Sequence, residues 1–207
     1  MKAHVICGSP EFWLPETLDG LIIGVDRGAL ELVKREINVD VAIGDFDSVT
    51  SAEMEEIKKN VSELIKLPVE KDVTDCEAAI EHLVSLGYKA FVLYGVTGGR
   101  LDHQMAIQSM MLKYLKQDVL ITVMDQKNKF FLLKPDKHLF SPCDYRYVSF
   151  FAMGEPVKGL TLDGVYYPLE QYDLALDDSL CVSNEPTASE VSIIFDSGYL
   201  LVVQSND

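Results

Sequence analysis

The chain has 207 residues, 48% hydrophobic and 25% charged, with 33 acidic against 18 basic side chains and a net charge of −15. That composition is globular, and the length suffices for one large core or two small ones. The charge excludes a sequence-independent nucleic-acid binder, which needs a basic stripe to release counterions, and a protein held on anionic membranes by charge.

Cys7, Cys76, Cys143 and Cys181 are scattered without CxxC or metal-ligand spacing, which predicts reduced thiols. The opening MKAHVICGSPEFW has one lysine and a short apolar run, unlike a secretory signal, and no stretch approaches the roughly 20 apolar residues of a membrane span. The expectation is a soluble, cytoplasmic protein.

From the start to Asp125, strand-length apolar runs alternate with helix-period segments. AHVIC, LIIGV, VDVAIG, SELIKL, AFVLYG and VLITVM read as strands. GALELVKRE, SAEMEEIKKN, TDCEAAIEHLVSLG and LDHQMAIQSMMLKYLKQ read as helices. In the last of these, Leu101, Met105, Gln108, Leu112 and Leu115 predict one buried face. Thr50 to Glu53 and Thr74 to Glu77 fit capping boxes, and Gly87 stands where the second of these helices should end. Alternating strand and helix predicts a mainly parallel, Rossmann-like α/β domain over 1–125. From 126 to 207 the pattern changes to KFFLLK, YRYVSFFAM, VKGLTL, GVYYPL, LCVSN, SEVSIIFD and YLLVVQ between turn residues, which predicts an all-β sandwich domain.

Ligands of open α/β sheets bind at the carboxyl ends of the strands, so the strand-to-helix loops carry the chemistry. GSP at 8–10 reads as a turn or a phosphate cradle. In VDRGA (25–29), Asp26 stands where it would cap the next helix or meet a nucleotide, and Gly28 permits close approach. In GDFDS (44–48), Asp45 and Asp47 would converge on one cation if the segment is extended, since alternate residues point the same way. GVTGGRLDH (95–103) offers the backbone amides of Gly98 and Gly99, the fork of Arg100 and a helix N-terminus, all suited to an anion, with Asp102 in the first helical turn. KDVTDCE (71–77) adds Lys71, Asp72 and Asp75 at another helix start. Carboxylates and cations over one sheet edge suit a metal-bound polyphosphate and phosphoryl-type transfer.

Together these motifs resemble the thiamine pyrophosphokinase family. GDFDS, KDVTDCEAA and GGRLDH occur in the family's order ahead of an all-β segment, and SNE (183–185) is similar to its C-terminal serine-asparagine motif. The resemblance implies transfer of a pyrophosphoryl group from ATP to the hydroxyethyl oxygen of thiamine, with release of AMP. It implies a magnesium-dependent homodimer with its active site at the dimer interface. Carried onto this sequence, it gives Asp45, Asp47 and Asp75 to magnesium binding and activation of the hydroxyl, with Asp45 favoured as base. Arg100 and Asp102 would act at the phosphates and metal. Asp26, Lys71, Asp72 and Thr74 would lie at the nucleotide, as would Gly98, Gly99 and His103. Ser183, Asn184 and Tyr166 would meet thiamine, Tyr166 by stacking on a cationic ring.

Three positions depart from the family. Arg27 replaces the first glycine of a D-G-G-A stretch, Ile107 stands where an asparagine is expected, and GVYYPL replaces GxxWPL. Two other readings remain open. One is a nucleotide or thiamine-diphosphate binding module without turnover. The other is a magnesium-dependent phosphohydrolase with DFDS as its nucleophile loop, a reading that leaves GGRLDH unexplained.

Overall fold

The computed structural model describes residues 2–70, 72–142 and 144–207. The chain divides into two compact units, Met1–Met110 with Asp118–Gln126, and Met111–Gln117 with Lys127–Asp207.

The first unit runs β1 (Lys2–Ile6), β2 (Leu21–Val25), α1 (Arg27–Lys34), β3 (Val39–Gly44), α2 (Ser51–Asn60), β4 (Val61–Lys66), α3 (Asp75–Ser85), β5 (Ala90–Tyr94), α4 (Leu101–Leu115) and β6 (Leu120–Met124), the last turns of α4 clustering with the second unit. Its strands lie in the order β4-β3-β2-β1-β5-β6, every neighbouring pair parallel. This is the α/β sheet the alternation predicts. β1 is buried along all but its first residue, as a central strand covered on both faces must be, whereas β4 at the edge is mostly exposed or half-buried. Order reverses at β1, from which the chain first builds outward to β4 and then returns to β5. The crevice at such a switch point is where α/β sheets bind ligands.

The helix starts follow their local chemistry. At α2 the Thr50 side chain accepts from the Glu53 amide (3.3 Å), and the Glu53 carboxylate accepts from the Thr50 amide (2.9 Å), a complete capping box. At α3 the Thr74 hydroxyl accepts from the Glu77 amide, and Gly87 leaves the helix at φ +89°. Helix α4 differs from its expected face. Leu101 and Met105 are more than 60% exposed, and the buried stripe is Ile107, Met110, Met111, Tyr114 and Leu115. The 3.6-residue period holds, but a period leaves the phase open wherever apolar residues occupy both sides of a helix.

The second unit contains β7 (Asn128–Leu133), β8 (Asp136–Phe140), β9 (Tyr147–Ala152), β10 (Val157–Asp163), β11 (Leu169–Leu174), β12 (Val191–Phe195) and β13 (Leu200–Ser205). Strands β7-β13-β9 pair antiparallel, and so do β11-β10-β12-β8. Val148, Phe150 and Val202 from the first set share one core with Leu160, Leu162, Val191 and Ile193 from the second, which makes the unit a β-sandwich. GVYYPL is largely a turn that leads into β11, and LCVSN is a turn as well. Strands β8 and β11 escape the pattern because they are the two edges of their sheet, where exposed polar side chains break the apolar alternation. Among the described residues, no helix is long and apolar enough to cross a membrane.

Candidate active site

A cleft of about 440 Å³ opens at the switch point of the first unit. It is lined by residues that follow β1 (Cys7 to Pro10), β2 (Asp26, Arg27) and β5 (Gly95 to Thr97), and by the first turns of α3 and α4. Close packing of β1 and α1 closes its floor, because a Cβ on Gly28 would lie 2.0 Å from the Ile6 carbonyl oxygen. The roof loop is tied down where the Ser9 hydroxyl donates to the Thr97 carbonyl and the Thr97 hydroxyl donates to Asp125 at 2.8 Å.

Two carboxylates of its lining, Asp26 and Asp75, meet a third, Asp45, and all three are half-buried. Ligand oxygens of Asp26, Asp45 and Asp75 lie within 4.8 Å of one another. Asp26 does not cap α1 with its side chain; its Oδ1 instead accepts the Phe46 amide at 3.0 Å. Gly44 makes room for it, since a Cβ there would lie 1.9 Å from Asp26 Oδ1. Asp45 follows β3, and Asp75 is the first residue of α3, where the helix N-terminus and the Thr74 cap fix its direction. The extended run assumed for GDFDS ends at Phe46, which is buried at φ +58°. Asp47 therefore turns away to an exposed position outside the group, with its amide donating to Asp45 Oδ1 at 3.0 Å. Three carboxylates with no imidazole or thiolate among them form a hard oxygen donor set, which fits magnesium.

The glycine-arginine loop forms another part of the cleft wall. Gly99, Arg100 and His103 line it at the start of α4, with Gly98 exposed beside them. Arg100 and Asp102 form a two-point ion pair, Nε to Oδ1 at 3.1 Å and Nη2 to Oδ2 at 2.5 Å, with both side chains largely exposed. That pairing raises the Arg100 pKa and lowers that of Asp102, whose Oδ1 also accepts the His103 amide. Held this way, the guanidinium is oriented and charged but screened by water, so an incoming phosphate can compete for it. Asp72 is exposed two residues before the Thr74 cap, and Lys71 lies outside the described residues.

The departures have local accounts. Arg27 is exposed on the cleft wall and needs Gly8, where a Cβ would lie 2.6 Å from Arg27 Cβ. Ile107 is buried in the α4 stripe and lines the cleft with Ala106 and Met110, so this wall is apolar. Cys7 and Cys76 also line the cleft. The Cys76 side chain, burial, and then the charges of Asp26 and Asp75 push the Cys7 thiol well above its ordinary pKa.

In the second unit, Ser183, Asn184 and Tyr166 form one cluster. Asn184 is 3% exposed and spends its side chain on backbone: Oδ1 accepts the amides of Tyr167 (2.9 Å) and Glu185 (3.0 Å), and Nδ2 donates to the Tyr167 carbonyl (2.8 Å). Ser183 sits at φ +57° with its amide on Ser149 Oγ, which leaves its side chain exposed. Tyr166 is 65% exposed, edge-on to Tyr167 at 4.8 Å between centroids. Asn184 therefore fixes the backbone at Tyr167 and Glu185, next to Tyr166 and Ser183 along the chain.

Sequence reasoning placed Asp26 at a helix cap or a nucleotide and missed its membership of the carboxylate group. The available signal was its own loop position at the end of β2, beside β3 in a parallel sheet.

Residues 17–123 match the family model described as thiamin pyrophosphokinase, catalytic domain, and residues 136–200 match that for its vitamin B1 binding domain. A thiamine pyrophosphokinase of Bacillus subtilis is 32% identical, the match covering 99% of this chain and 98% of that protein. A crystal structure of Bacillus subtilis thiamine pyrophosphokinase superposes with a TM-score of 0.92 at 30% identity over the whole of both chains. One from Enterococcus faecalis, of a thiamin pyrophosphokinase family protein, gives 0.90 at 30% identity, again over both whole chains. The yeast enzyme, at 14% identity and TM-score 0.81 over 99% of this chain and 86% of that one, shares the fold. Two family models in order over most of the chain, with full-length relatives behind them, establish that this chain belongs to the thiamine pyrophosphokinase family of enzymes.

Proposed function

We propose that the chain transfers the pyrophosphoryl group of Mg-ATP to the hydroxyethyl oxygen of thiamine, giving thiamine diphosphate and AMP. The observation that carries this reading is the grouping of the Asp26, Asp45 and Asp75 carboxylates, two of which, Asp26 and Asp75, line the same cleft as the glycine-arginine start of α4. In the transfer, a bond forms between the thiamine oxygen and the β-phosphorus. The bond from the β-phosphorus to the oxygen bridging to the α-phosphorus breaks, and AMP leaves with that oxygen. The hydroxyl proton is released.

The transition state of such transfers is loose, so orientation and charge neutralisation count for more than proton removal. Asp26, Asp45 and Asp75 would hold magnesium, which when bound supplies positive charge against the polyphosphate. Asp45, on the rim of that group, accepts the hydroxyl proton, and Asp47 stands next to it at the solvent edge. Arg100, oriented by Asp102, meets the phosphates together with the amides of Gly98 and Gly99. Lys71, Asp72, Thr74 and His103 complete the nucleotide side. Ser183 hydrogen-bonds thiamine and Tyr166 stacks on it, while Asn184 positions both. The net charge of −15 favours approach of a cationic substrate.

The enzyme works as a homodimer in the cytoplasm, with its active site at the subunit interface. The exposed apolar side chains Leu176, Leu180 and Val182 of the second unit support a face that a partner covers. Metal dependence tests the reading. Turnover should vanish with a chelator and return with magnesium, and D75N should raise the magnesium concentration needed by at least about tenfold, in line with the loss of roughly 1.4 kcal/mol or more of binding. Turnover that survives complete chelation would overturn it.

A further inference from the structure

Two arginines line the cleft, Arg27 and Arg100, and they differ in what they hold. The charge of Arg100 is shared with Asp102 through their two-point ion pair. Arg27 is exposed, and no described residue forms an ion pair or hydrogen bond with its guanidinium. Its stem rests on the loop after β1, since a Cβ on Gly8 would lie 2.6 Å from Arg27 Cβ and 3.1 Å from its Cγ. The neighbouring Asp26 spends Oδ1 on the Phe46 amide and lies within the carboxylate group. Arg27 also opens α1, a helix with no acidic residue in its first turn and no side-chain cap. A cation there adds to the positive pole of the helix where an acid would offset it, so the residue works against local stability. Sequences break local rules of this kind chiefly at functional sites.

We propose that Arg27 is a specificity-determining residue whose guanidinium binds the terminal phosphate of the nucleotide, so that the cleft prefers a nucleoside triphosphate to the diphosphate. This role rests on the proposed pyrophosphoryl transfer and adds to it the phosphate that one side chain reads. Asp26, one residue away, would hold magnesium, which such sites share between carboxylates and substrate phosphates, and that brings the polyphosphate to Arg27. The terminal phosphate carries more charge than either inner one. It therefore gains most from a guanidinium that gives up no protein partner on binding. Arg100, partly neutralised by Asp102, is left to the inner phosphates. The terminal phosphate travels with the transferred group, so Arg27 would hold it in ATP and again as the outer phosphate of thiamine diphosphate.

Calorimetric titration of the full-length enzyme with Mg-ATP and with Mg-ADP, in the absence of thiamine, tests the assignment. Arg27→Gln should weaken Mg-ATP binding about tenfold or more and Mg-ADP binding less than about twofold, as expected for loss of one charge-assisted contact. Arg27→Lys keeps the charge without the planar fork and should fall between wild type and Arg27→Gln. Arg27→Gln should melt no lower than wild type, because the cation it removes opposes the helix dipole. Unchanged Mg-ATP affinity in Arg27→Gln would overturn the proposal. So would equal losses for the two nucleotides together with a lower melting temperature, which would make Arg27 a structural residue. Failure here is separable from failure of the assigned reaction. A wild-type enzyme that forms AMP and thiamine diphosphate, with Arg27→Gln binding Mg-ATP as tightly, removes only the Arg27 role. A wild-type protein that binds no Mg-ATP removes both.

Discussion

The carboxylate of Asp26 accepts the backbone amide of Phe46 at 3.0 Å, which ties the end of β2 to the turn that follows β3. One side chain thus serves both the carboxylate group and the left-handed turn that delivers Asp45 to it. The two roles separate by substitution. Asp26→Asn keeps an acceptor for Phe46 and should cost under about 1 kcal/mol of stability, while turnover falls by about 100-fold or more. Asp26→Ala removes the acceptor as well and should cost about 1–3 kcal/mol. Urea melts with steady-state rates check both, and equal stability of the two variants would refute the tie.

Asp45, Asp75 and Asp47 should rank by position. Asn at Asp45 or Asp75 should reduce turnover by roughly three orders of magnitude, or about 4 kcal/mol of transition-state stabilisation. The same change at the exposed Asp47 should cost less by at least about tenfold. Turnover numbers for the three variants decide it, and an Asp47→Asn enzyme as dead as the other two would return Asp47 to the metal.

Asn184→Ala should destabilise the second unit by about 2–3 kcal/mol, since it strands the Tyr167 and Glu185 groups that the side chain satisfies. Its KM for thiamine should rise because Tyr166 and Ser183 lose their fixed spacing. Ser183→Ala should raise the same KM about tenfold with stability nearly unchanged. Thermal melts against KM values separate the pair; a stable Asn184→Ala protein would remove the positioning role.

Stability should fall on the acid side through His4. It is 2% exposed, stacked on Tyr94, with Nε2 on the Asp19 carbonyl at 2.9 Å. Burial, with a smaller push from the charge of Lys2, lowers its pKa, and the Asp19 carbonyl offsets part of that. A depressed histidine binds its proton more readily unfolded than folded. The unfolded state therefore takes up the proton first as pH drops below about 6.5, and stability declines until the folded pKa is reached. Denaturant melts from pH 8 to 5 should show this slope, and His4→Gln should flatten it. An unchanged slope in the variant would assign the effect elsewhere.

The α/β sheet was legible because each apolar run has strand length and each helix announces its start, Thr50 and Glu53 most completely. The β-sandwich was legible as a class, yet its two edge strands were not, since Asp136–Phe140 and Leu169–Leu174 present polar side chains to water. At the site, loops singled out in the sequence line one cleft, but how they are folded was not legible. Whether Asp45 and Asp47 point together depends on the backbone at Phe46, and a buried aromatic at positive φ is held there by Asp26 and by packing on Ala29, Leu30, Ala42 and Ile57. Neither cause is local in sequence. Asp26 is 20 positions from its partner, so its membership in the group emerges only when β2 and β3 lie side by side.

The most direct measurement is product release from purified enzyme given Mg-ATP and thiamine, with controls lacking each substrate. The account predicts AMP and thiamine diphosphate appearing one for one, only when thiamine is present, and little of either from the Asp75→Asn enzyme. ADP with thiamine monophosphate, free phosphate without thiamine, or tight binding of both substrates with no product would contradict it.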